Sequence, residues 1–175
     1  MANKATRFYT VTIPTKTYLR KYIHSRYGQP IPINNHSLIG VIMISLLEKN
    51  FCTRQPSFKK DIRYTSFTDE ITFLAPATLM YNYGVDMNTE KIIQVNRFFE
   101  NDFEESLYRY CKYAPNKEIK ISIEQFAMMH NIILEVDTTS ECLKKSEYRY
   151  RKKIETISGN SVPRQKMKSQ ALIFQ

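Results

Sequence analysis

Ile92, Val95, Phe99, Phe103, Leu107 and Tyr110 recur every three or four residues, the interval at which side chains return to one side of an α-helix. This stripe predicts a long amphipathic helix over 88–113, opened by Asn88, whose side-chain oxygen suits a free N-terminal amide. Asn101 marks a point at which it could break. Glu100, Asp102, Glu104 and Glu105 fall away from the stripe and read as a solvated acidic face. A helix this long draws its stability from packing its apolar side, so the rest of the chain must supply a core to receive it.

The N-terminal third changes period in a way that dictates two kinds of element. In Arg7–Ile13, Tyr9, Val11 and Ile13 alternate with Thr10 and Thr12, the pattern of a half-buried strand, and Pro14 closes it. Tyr18, Leu19, Tyr22, Ile23 and Tyr27 then follow helical spacing up to Gly28, a helix stop. Residues 29–34, with Pro30 and Pro32, read as an extended connector. Ser37–Lys49, opened by Asn35 or His36, is apolar on nearly every side and is expected at the centre of the core. Ile62 and Tyr64, then Ile71 and Phe73, alternate on either side of Ser66–Asp69 and predict a hairpin ended by Pro76. Two capping boxes, Ser122–Gln125 and Thr138–Glu141, open helices expected over 122–130 and 139–154.

The expected fold is therefore α+β: mostly helical, with a small antiparallel β-sheet from strands near 8–13, 60–66 and 70–75 and a helical C-terminal half. The expected organisation is a strand–helix–helix–hairpin part over 1–84, a helical part over 85–155 and a basic flexible tail over 156–175. The 175 residues, 42% hydrophobic and 13% aromatic, suffice for one real core or two small ones. Four glycines argue against a glycine-rich phosphate loop and a turn-dense sandwich. No apolar run approaches the roughly 20 residues of a membrane span, the longest, Leu38–Leu47, stopping at Glu48. Met1–Arg7 leads into no apolar signal region, so a cytoplasmic protein with no membrane partner is expected. Cys52, Cys111 and Cys142 are odd in number and widely spaced, which points to reduced thiols. His24, His36 and His130 show no metal-ligand spacing and read as surface or cap residues; neither a metal nor a cofactor is expected.

Charge carries the functional signal. The net +9 is uneven: residues 1–47 hold six basic groups and no acid, and residues 144–175 hold nine against two, so the middle nets −4. Over 141–154, Leu143, Glu147, Tyr150 and Ile154 share one helical face, while Lys144, Lys145, Tyr148, Arg149, Arg151 and Lys152 project elsewhere. Cations interleaved with rings suit a polyanion, since charged groups displace counterions from phosphates and rings stack on bases. These six residues, with Tyr148 as the stacking ring, are the expected nucleic-acid contacts, aided by Arg7, Lys16, Arg20 and Lys21. DNA is the expected partner. The twelve tyrosines and ten phenylalanines exceed the needs of one core, so an aromatic surface for a protein partner is the alternative. No catalytic residue is expected. Glu118-Ile119-Lys120, with Asp69, Glu70 or Asp86, has the spacing of a metal-dependent nuclease, but a three-residue pattern without support is weak.

Three resemblances bear on this reading. Strand, proline, helix, glycine and second helix over residues 7–49 resemble the ribbon-helix-helix DNA-binding family. That resemblance implies a homodimer, with Phe8, Thr10 and Thr12 facing bases and Asn35 and Ser37 meeting the backbone. Residues 122–153 resemble a helix-turn-helix, which implies that the basic second helix is the reader, through Lys144, Lys145, Arg149 and Lys152. Finally, residues 14–22, Asp61-Ile62-Arg63-Tyr64, Leu143-Lys144-Lys145 and 148–153 look like small uncharacterised proteins of bacterial prophages and mobile elements. This implies a bacterial, phage-related and possible regulatory setting for a non-enzymatic DNA-binding protein. A phage structural or protein-inhibiting role is the alternative.

Overall fold

A computed structural model describes residues 7–47, 66–84, 87–114 and 118–159. The elements run β1 (Phe8–Thr15), α1 (Thr17–Tyr27), β2 (Ile31–Pro32), α2 (Leu38–Leu46), β3 (Asp69–Pro76), α3 (Ala77–Tyr83), α4 (Thr89–Tyr113), α5 (Ile119–Met129) and α6 (Ser140–Gly159). The fold is α+β and mostly helical. Its sheet is mixed rather than antiparallel, in the order β1-β3-β2. β3 runs antiparallel to β1, with Val11 opposite Phe73 and Ile13 opposite Ile71, and parallel to β2 through Ile31 and Pro32. β3 thus finds its antiparallel partner at the start of the chain; the expected strand over 60–66 lies, apart from Ser66, outside the described residues. The connector holds β2 because Ile31 and Ile33 are buried and the Ile33 N–H donates to the Leu74 carbonyl at 2.8 Å.

α4 is the axis of the core. It runs its 25 residues without a break at Asn101, and Asn88 caps it by accepting from the Lys91 N–H at 3.0 Å. Its stripe, Ile92, Val95, Phe99, Phe103 and Leu107, is buried. Phe99 stacks on Phe73 of the sheet at 6.3 Å, and Phe103 meets Tyr18 and Tyr22 of α1 edge-on at 5.1 Å and Phe126 of α5 at 5.6 Å. Edge-to-face pairs at these spacings add to area burial because the positive ring edge meets the negative face. Buried side chains from every strand and helix join this cluster, Met80 from α3 and Leu143 from α6.

Several local expectations change. Tyr9 is half exposed beyond the buried Val11 and Ile13, and β1 runs through Pro14 to Thr15. α2 buries only Ile39, Gly40 and Met43, and leaves Leu38 and Val41 exposed, so it flanks the core rather than centring it. α3, not anticipated, follows Pro76, whose fixed φ suits a helix start, and ends at Gly84 (φ 92°). α5 starts at Ile119 because Ser122 is buried and donates its hydroxyl to the Glu118 carbonyl at 3.2 Å instead of capping. α6 is capped one residue later than the box predicts: Thr139 Oγ1 accepts from the Cys142 N–H at 3.1 Å.

Two close approaches hold the N-terminal half together. Asn96 of α4, 3% exposed, donates through Nδ2 to the Pro14 and Ile92 carbonyls at 2.9 and 3.0 Å and accepts from Thr15 Oγ1 at 2.6 Å. A Cβ added to Gly40 would lie 1.9 Å from the Asn34 carbonyl oxygen, a backbone atom that cannot swing aside. Gly40→Ala should therefore lower stability by about 1–3 kcal/mol or more, read as a fall in the urea midpoint at unchanged slope. Asn96→Ala leaves the Thr15 hydroxyl without its acceptor and the Pro14 carbonyl without this donor. It should cost about 1–3 kcal/mol for each group so stranded in the same measurement.

Candidate nucleic-acid interface

The cations of α1 are already engaged by carboxylates. Lys16 Nζ lies 2.6 Å from Glu100 Oε1, Arg20 Nε 2.6 Å from Asp69 Oδ2, and Lys21 Nζ 2.5 Å from Asp137 Oδ2. Arg26 lies 3.1 Å from Asp102 Oδ2 and also donates to the Tyr22 hydroxyl and to Ser106 Oγ. Tyr22 in turn donates to Asp102 Oδ2 at 2.9 Å, and its hydroxyl lies 2.7 Å from Ser106 Oγ; burial above all pushes its phenol up to about 12. The acidic face of α4 is thus a partner for α1 rather than a merely solvated surface. Arg7 is exposed and forms no ion pair among the described residues.

α6 presents a different picture. Leu143 and Glu147 are buried, and Tyr150 meets Tyr108 of α4 at 5.5 Å, so the predicted inner face is the observed one. Three outer cations are tied within the helix: Lys144 to Glu141 at 2.8 Å, Lys152 to Glu155 at 2.8 Å and Arg151 to Glu147 at 3.6 Å. Arg151 and Lys152 also flank the Tyr148 ring at 5.5 and 5.9 Å, leaving it 51% exposed. Lys145, Arg149 and Lys153, spaced by four, share one exposed strip and enter no ion pair among the described residues. Arg149 and Lys153 sit near Glu104, where burial and Glu100 raise the carboxyl and these cations oppose the rise.

Beside that strip, the C-terminal end of α4 and the middle of α6 form a cavity of about 300 Å³ lined by Tyr108, Arg109, Lys112, Tyr113, Tyr150 and Glu105. Lys112 lies over the Tyr108 and Tyr113 rings at 5.7 and 5.4 Å, and Lys153 over Tyr150 at 5.7 Å. Tyr113 is 75% exposed. Burial, then the nearby Glu105 carboxylate, raise the Tyr150 phenol. Sequence reading assigned Tyr150 to the buried face and missed Arg109, Lys112 and Tyr113. The signal was there in Tyr108–Tyr113, which alternates rings with cations just where the apolar stripe ends.

The remaining candidates do not assemble. Glu118 caps α5 and Lys120 lies in its first turn, so the two lack the common strand face that the nuclease pattern needs; Asp86 lies outside the described residues. α5 and α6 are joined by residues 130–139, which hold left-handed turns at Asn131 and Glu135, not the tight turn of a helix-turn-helix. β1, with Phe8, Thr10 and Thr12 exposed, lies at a sheet edge, while Ser37 accepts from the Gly40 N–H to cap α2. Cys111 is half-buried, and burial and then Glu147 push its thiol up to about 11, far from a reactive thiolate. Cys52 lies outside the described residues. No helix among the described residues is long and apolar enough to cross a membrane.

The 130–139 connection is anchored through Asp137, which accepts from the Ile133 N–H at 2.7 Å as well as from Lys21. Burial alone would raise the Asp137 carboxyl; Lys21 and the Ile133 N–H outweigh it and hold it below the ordinary carboxylate value. A depressed pKa contributes stability above the unfolded value of about 4 that is lost as pH falls through the folded one. Asp137→Asn should therefore lower the urea midpoint at neutral pH, with the deficit shrinking as pH falls below about 4.

No protein-family model, curated protein or solved structure matches this chain.

Proposed function

We propose that this chain binds nucleic acid, with DNA the expected polymer, through α6 and the adjoining end of α4, and that it does so without catalysing a reaction. The observation that carries this reading is the strip of Lys145, Arg149 and Lys153, which enter no ion pair among the described residues and are bordered by Lys112 and the rings of Tyr108, Tyr113 and Tyr150. Such a strip gains free energy by releasing counterions condensed on phosphates, while paired cations must first surrender a carboxylate. The binding surface therefore centres on α6, and Lys16, Arg20 and Lys21 serve mainly to hold α1 in place. A bacterial phage or mobile-element setting, with a regulatory role, is the context proposed for this activity.

Exposed Phe8, Tyr9 and Tyr81, the last 84% exposed, favour a second reading in which a protein partner meets the face near β1 and α3. Tyr9 and Tyr81 line one shallow cavity there with Met80, remote in sequence from the basic strip.

A salt series with labelled DNA tests the first reading. Replacing Lys145, Arg149 and Lys153 together with Ala should flatten the slope of log affinity against log salt by about 0.7–0.9 for each phosphate no longer neutralised. Arg20→Ala, which removes a cation engaged by Asp69, should leave the slope near the parent value. An unchanged slope in the triple variant would remove α6 from the interface.

A further inference from the structure

We infer that the cavity between α4 and α6 is a base-stacking site, and that the preferred ligand is a single strand with unpaired bases rather than a duplex. The inference rests on the nucleic-acid reading above and specifies its substrate class. Three tyrosines converge at this cavity, and cations lie over the rings of all three. Tyr113, at 75% exposure, offers ring surface that the fold itself does not use. A duplex keeps its base faces stacked on one another, so along its length it can meet this surface only through phosphates and groove edges. A single strand can turn a base onto a ring while its phosphates lie along the neighbouring cations.

The cavity also holds groups that a purely electrostatic site would not need. Glu105 is paired with Arg109 and lines the cavity together with Tyr150. A carboxylate repels phosphate but accepts hydrogen bonds from base amino groups. Lys112 and Lys153 lie within 6 Å of the tyrosine rings, so a base placed on a ring brings its own phosphate within reach of a cation. The dimensions agree: about 300 Å³ is at the lower end of the range for small-ligand pockets, a few hundred Å³.

The test is fluorescence anisotropy at low salt with a labelled DNA single strand, an RNA single strand, a DNA duplex of the same sequence and an abasic strand of equal length. The full chain should bind a single strand more tightly than either the duplex or the abasic strand, and the tighter of DNA and RNA identifies the polymer. Tyr113→Ala and Tyr150→Ala should each weaken single-strand binding by roughly 5- to 100-fold, with the salt slope and the duplex affinity unchanged. Tyr113→Phe keeps the ring and should bind as the parent does. Melting midpoints of the variants separate a missing stacking ring from a damaged fold, and Tyr113, being exposed, is the variant least able to disturb packing. Duplex binding as tight as single-strand binding, or tyrosine variants that bind single strands like the parent, would overturn the inference while leaving the nucleic-acid reading intact. No binding to any strand would overturn both.

Discussion

Tyr22 joins the two halves of the described structure. Its ring lies perpendicular to Phe103 at 5.1 Å in the core, and its hydroxyl emerges between α1 and α4 to meet Asp102, Ser106 and Arg26. One side chain thus supplies an apolar body to the aromatic cluster and a polar tip to the ion pairs above it. The sheet reaches α4 partly through α1, and α5 reaches α1 through Phe126 and His130, which pack against the same ring. Residues distant in the chain depend on the geometry of this one crossing.

The crossing also redistributes charge. As a sequence, the chain has two basic ends around an acidic middle. In three dimensions the acids of α4, β3 and the α5–α6 connection are set against the cations of α1, at partly buried positions where an ion pair is screened less than on open surface. Among the described residues, Lys145, Arg149 and Lys153 of α6 keep clear of ion pairs, with Lys112 of α4 nearby. The cations of the first basic end are thus largely spent within the fold, whereas a row of those on α6 is not.

The long helix, α1, the first strand and the inner face of α6 were legible because each repeats its apolar residues at the period of its backbone. The pairing of β3 was less so. Alternation at Ile71 and Phe73 announces a strand but not its neighbour, and β1 is separated from it by more than fifty residues that include α1 and α2. Helix starts misled where a serine or threonine had another use: Ser122 turns its hydroxyl into its own helix, and Thr139 rather than Thr138 caps α6. For the candidate site, periodicity identified the cations of α6 but not their availability. Whether Lys21 is free depends on where Asp137 lies, and a tertiary contact across more than a hundred residues leaves no local trace. The tyrosines of α4 escaped notice for a related reason, since they extend a core stripe past the point where the core ends.

The anchoring of the 130–139 connection has a kinetic consequence. Asp137 ties it to α1 through Lys21 and to its own turn through the Ile133 N–H, while Glu135 Oε1 accepts from the Ser140 N–H at the start of α6. A loop held at both ends spends its conformational entropy during folding rather than at encounter. The backbone that carries the strip on α6 is then anchored at its start before any ligand arrives. Were α6 the binding surface, as proposed, its encounter with a polyanion would depend on ionic strength and would need no refolding of the helix backbone.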